Sequence, residues 1–144
     1  IKFEEVAYDP KCDIAKVTAS IQLESIKNID GQEINLKNKV FRRVAFATST
    51  PEMAGPLKAL RAAELDAYKQ LMKRLVGFEL ESHTTVENYM LKSDLVKTKV
   101  LATLCLAEVT EYGWTEDGDA YVKMVIDVSD FEDILGQQVL GNEK

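Results

Sequence analysis

His83 is the only histidine of the chain, and Glu79, Glu81 and Glu87 stand around it. On a strand, residues 79, 81 and 83 would share one face. Two carboxylates beside an imidazole could bind a metal or move a proton. A solvated polar strand face has the same composition, and a zinc site ordinarily draws on more His and Cys than this chain holds. The run Glu116-Asp117-Gly118-Asp119 gathers carboxylates in the manner of a calcium loop, but without the ligand spacing or the closing bidentate Glu of an EF-hand. A hairpin turn containing Asp-Gly accounts for it with no ion. There is no G-x-S-x-G, no Cys–His signature and no phosphate-binding glycine loop. These residues predict no metal, no cofactor and no enzymatic activity.

A second set of polar residues stands among apolar neighbours. Arg42 and Arg43 interrupt an apolar strand pattern, while Arg61 and Glu64 fall within or beside a helical apolar stripe that includes Tyr68. Buried charges are rare unless paired. Either Arg61 and Glu64, three apart on one helix, pair with each other, or this helix edge meets another subunit, where Arg and Tyr are enriched. Arg42, Arg43, Arg61, Glu64 and Tyr68 are therefore candidate subunit-interface residues.

Cys12 and Cys105 permit at most one intrachain disulfide, provided their Cα atoms come within about 7 Å. The alternative is that Cys105, inside the apolar run 101–109, is a small core residue.

The elements that must position these groups follow from periodicity. Residues 14–24 alternate, with Ala15, Val17, Ala19, Ile21 and Leu23 on one face and Lys16, Thr18, Ser20, Gln22 and Glu24 on the other. The pattern predicts a strand with its apolar face on the core and its polar face solvated or paired with a neighbour. A turn at 28–31 leads to an extended stretch over 33–48, broken at 37–39, and residues 2–8 suit an edge strand. Pro56 should open a helix running to Val76, roughly 30 Å long, with Gly77 as a left-handed cap. Leu57, Leu60, Ala67, Tyr68, Leu71, Met72 and Leu75 form its stripe. A short strand over 78–86, a helix from Asp94 capped by Ser93, and a hairpin of 104–114 with 120–128 follow. Ser129-x-x-Glu132 reads as a capping box opening a terminal helix to about Leu140. The order predicts an α+β fold: an antiparallel sheet packed on one long helix, with shorter second and C-terminal helices.

At 144 residues, with seven Gly, three Pro and 46% hydrophobic residues, the composition is that of one globular domain. It divides into an N-terminal strand region, 1–50, and a helix–sheet core, 51–140. A net charge of −6 argues against nucleic acid as a partner. The chain opens at Ile1 with neither Met nor an apolar leader, so the expectation is a removed signal segment or a start inside a longer protein.

RAAELDAYKQL at 61–71, Gly77, TTV at 84–86 and DGDAYVKMVIDV at 117–128 together resemble the FlgP family of bacterial flagellar outer-membrane lipoproteins and related small surface lipoproteins. The likeness covers roughly residues 57 to 128. It implies a homo-oligomeric structural subunit of the flagellar basal body that forms rings or disks in the periplasm and is required for motility. It also implies contacts with other motor proteins and an outer-membrane anchor through a lipidated Cys upstream of Ile1. Cys12 is a poor anchor, because Tyr8-Asp9-Pro10-Lys11 precede it. The contrasting expectation is a monomeric periplasmic module holding a small ligand or envelope component between helix and sheet, which would need a pocket with convergent polar groups.

Overall fold

In the computed structural model, which describes residues 1–11 and 13–140, the fold is α+β. Strands β1 (Lys2–Asp9), β2 (Ile14–Lys27) and β3 (Glu33–Ala47) form an antiparallel sheet in that order. Strands β4 (Glu108–Trp114) and β5 (Ala120–Val125) form a separate antiparallel pair. Helix α1 (Ala54–Gly77) precedes α2 (Val86–Lys92) and α3 (Asp94–Leu104), and α4 (Val128–Leu135) follows β5.

The β2–β3 hairpin is long, and its two faces are covered at opposite ends. Near the β1 end, Ile14 and Phe46 pack with Leu60 of α1 and, more loosely, with Tyr112, Trp114 and Val122 of the small sheet. Toward the 28–31 turn, Ile34, Leu36 and Phe41 pack instead with Ala102 of α3 and Ile134 of α4. Between the two, β3 is kinked where Lys37 and Asn38 both adopt positive φ (57° and 54°), and the pairing shifts between Leu23 and Ser25. That irregularity turns Ile34 and Leu36 onto the same side as Phe41.

This arrangement corrects the predicted faces. Over residues 14–20 the even-numbered residues of β2 face the body of the protein, Ile14 and Ser20 buried and Lys16 and Thr18 half-buried. Farther along, Leu23 packs on the core as predicted and Gln22 and Glu24 are exposed. Lys16 and Ser20 are tolerated on the body side because each has a partner. Lys16 reaches Glu5 at 3.6 Å and lies over the Tyr112 ring, and Ser20 hydrogen-bonds Glu4. The Ala15–Ile21 face, predicted to lie on the core, is left largely uncovered.

Asp13 sits at φ 54° in the β1–β2 turn and gathers donors from the β3–α1 connector. Its carboxylate accepts from Ser49 Oγ (2.6 Å), Ser49 N (3.2 Å), Thr50 Oγ1 (2.5 Å) and Tyr8 OH (2.7 Å). These bonds hold its pKa far below the ordinary carboxylate value, the Ser49 hydroxyl contributing most. The latch fixes the direction in which the chain enters α1.

A 3-10 turn at Pro51–Met53 leads into α1, which opens at Ala54 rather than Pro56. Pro56 fits in the first turn, where its missing N–H has no intrahelical acceptor to lose. Gly77 is the last helical residue and not a left-handed cap; Phe78, in extended conformation, ends the helix by donating to Leu75 O. The stripe lies as its spacing predicts, with Leu60 and Leu75 buried and Leu57, Ala67, Tyr68, Leu71 and Met72 half-buried. The helix packs chiefly on β5 of the small sheet.

The main core joins Leu75, Leu80, Val86, Val96, Val100, Phe131, Leu135 and Val139. Segment 78–86 is not a strand. It makes only isolated bridges, Glu79 with Thr85 and Leu80 with Val139, and Thr85 then caps α2, a helix the alternation concealed. Ser93 caps α3 as predicted, accepting from Val96 N. The cap of α4 is Asp127 rather than Ser129, and the helix stops at Leu135 because Gly136 turns left-handed (φ 84°). Residues 104–107 belong to the end of α3 and its exit, so β4 starts at Glu108, and β5 ends at Val125, short of 128.

Candidate functional site

His83 stands in a turn with φ 64°, its side chain 80% exposed and its Nδ1 3.5 Å from Glu79 Oε2. Glu81 is directed elsewhere, accepting from Gln138 N at 3.4 Å, so the three do not share a strand face. Among the described residues no three His, Cys, Asp or Glu side chains are placed to hold a metal. The 115–119 loop is closed by Gly118 N to Thr115 O (2.9 Å) and Thr115 N to Asp119 O (2.8 Å), the geometry of a plain hairpin turn. Cys105 is exposed with a free thiol and is not a core residue; Cys12 lies outside the described residues, and with it the disulfide that the two cysteines would permit.

The five candidate interface residues divide. Arg42 is an internal tie: its Nε is 3.1 Å from Glu4 Oε1 and its Nη1 is 3.1 Å from Glu108 Oε1, joining β1, β3 and β4. The Ser20 hydroxyl and then the Arg42 guanidinium lower the pKa of Glu4. Arg42, Glu64 and Tyr68 line one small cleft of about 80 Å³ with Lys16 and Thr18. Arg43 reaches the same place from the other side of β3, its guanidinium 5.8 Å from the centre of the Tyr68 ring. Burial pushes the Tyr68 phenol up, against the pull of Arg43. Arg61 points outward and is exposed. Among the described residues no ion pair joins it to Glu64, so of the two alternatives the intrahelical pairing does not form. The cleft is far smaller than the few hundred Å³ of a typical small-molecule site.

The surface that sequence reasoning missed is the outer face of the N-terminal sheet. Pairing places Phe3 beside Ala19, Val6 beside Val17 and Tyr8 beside Ala15, and Ala45 and Ala47 beside Val17 and Ala15 on the other flank. Phe3 is 70% exposed, Val6 73%, Tyr8 59% and Ile21 41%. Every residue of β1 is exposed, and among the described residues no strand pairs with it on its outer side. The alternation of residues 14–24 marked this face as apolar, and the edge strand was legible. What the alternation lacked was a sign of which side the helices cover.

No family model, curated protein or solved structure matches the chain.

Proposed function

We propose that this chain is a non-catalytic structural subunit that assembles with copies of itself. Following its resemblance to the FlgP family, we place it in the flagellar basal body, in the periplasm at the outer membrane, with motility as the process it serves. The observation that carries the structural part is the uncovered apolar sheet face built by Phe3, Val6, Tyr8 and Ile21. Contiguous apolar surface of this kind, rimmed by polar residues, ordinarily marks an interaction site. The small size of the cleft at Arg42, Glu64 and Tyr68, about 80 Å³, favours this reading over a small-ligand module there, and the larger groove of about 450 Å³ between α1 and β5 is open to solvent.

Sedimentation velocity and electron microscopy of the purified protein test it. Species well above the 16.2 kDa protomer, visible as rings or disks, are expected; a protein that stays monomeric at high concentration sinks the reading. The flagellar part is tested separately by deleting the gene in its bacterial host. Unimpaired swimming removes the flagellar assignment and leaves the structural one.

A further inference from the structure

Resting on the structural reading above, we infer that β1 is a self-complementary edge that pairs antiparallel with β1 of a second copy about a two-fold axis through Val6. Three observations carry it. First, β1 is a full-length edge strand of 8 residues with no proline, whereas exposed edges are usually short, charged or covered. Second, the two carboxylates in the middle of the edge, Glu4 and Glu5, are engaged within the subunit. Glu4 is drawn to Arg42 at 3.1 Å and Glu5 to Lys16 at 3.6 Å, both on the side facing the body, so β1 itself presents only Phe3, Val6 and Tyr8 on the outer face.

Third, the sequence matches itself in reverse. Glu4 is the extra residue where the β1–β2 pairing shifts between Phe3 and Glu5. Counting it so, a Val6–Val6 pair on the axis sets Tyr8 against Phe3, Ala7 against Glu5 and Asp9 against Lys2 of the second copy. The apolar face then carries two aromatic pairs flanking a valine pair, and the other face carries two Lys–Asp pairs. No like charges oppose each other. Cross-strand aromatic and opposite-charge pairs are the units that stabilise such a ladder, and strand addition supplies main-chain bonds along its length. The two outer faces become one continuous apolar surface across the dimer.

The test exploits the axis. Val6 is exposed, so Val6→Lys and Val6→Glu should leave the circular dichroism native. Each places like charges directly opposite, and each alone should run as a monomer. Mixing the two variants should restore the dimer. As a second readout, in a Cys12→Ser, Cys105→Ser background, Val6→Cys should crosslink into a dimer on oxidation, while Ala45→Cys, on the same face two strands away, should not. If the wild type assembles and both charged variants assemble equally well, the edge is not the contact, and the structural reading survives without it. If each variant is monomeric but the mixture is too, Val6 is not on the axis and the register is wrong. A wild type that is monomeric at every concentration overturns both this contact and the reading it rests on, and gives the edge to a different partner.

Discussion

Asp13 shows what one residue does in this fold and how little of it a sequence announces. An Asp just before a strand is unremarkable; its donors Ser49 and Thr50 stand 36 and 37 positions away. Only tertiary placement makes the latch. Because the folded-state pKa is depressed below 3.8, the unfolded chain binds the proton more readily, and the linked stability is present above that value and is lost as pH falls through the folded-state value. Asp13→Asn should therefore lower the denaturant midpoint at neutral pH, and the gap to wild type should close as pH drops below 3.8. A gap that stays constant with pH would mean that the carboxylate charge is not what the hydroxyls hold. Arg42 teaches the complementary lesson. An arginine in an apolar strand is correctly suspected of having a partner, but the partners are Glu4 and Glu108 of the same chain. Nothing in the sequence distinguishes those from a neighbour's carboxylates.

At the scale of elements, periodicity located structure and left orientation open. The stripe of α1 was legible because a long helix exposes its whole period, and Leu60 and Leu75 are buried as that stripe requires. Within it, the two ends differ. Leu75 is 3% exposed in the main core, whereas Leu71 is half-buried beside an open groove. Leu75→Ala should cost about 2–5 kcal/mol, and Leu71→Ala clearly less, as read from urea midpoints. Equal losses would mean that the groove above Leu71 is filled. The faces of β2 were misread for a physical reason. Ala15 and Ala19 look like core but gain little by burial, while Lys16 and Ser20 look like surface but are satisfied by Glu5 and Glu4 where they lie. The 78–86 segment misled likewise: it alternates, but the positive φ of His83 folds it back after Leu80. The stop of α4 is sharper. Gly136 at φ 84° has open space around it, so Gly136→Ala should cost about 1–2 kcal/mol through backbone strain alone. A larger loss would implicate packing that the glycine does not show.

At the scale of the whole molecule, an isologous contact through β1 closes at two copies and cannot by itself build a ring or a disk. A larger assembly needs a second, heterologous contact. The outer surface of α1 is where the charged residues singled out from the sequence still lack an internal role: Arg61 is exposed, and Leu65 beside it is 57% exposed. Reversing the charge at Arg61 should therefore act differently from the changes at Val6. Arg61→Glu should keep native circular dichroism and should keep the dimer, while species larger than two copies disappear from the sedimentation profile. Val6→Lys should instead run as a monomer, because the α1 contact joins pairs of protomers and not single ones. The double variant should be a monomer. An Arg61→Glu protein that still forms the full assembly would move the second contact off α1, most directly to the Ala45–Ala47 flank of the apolar sheet face. If Arg61→Glu abolishes the dimer as well, the two contacts are not independent, and the pairing of β1 depends on assembly through the helix.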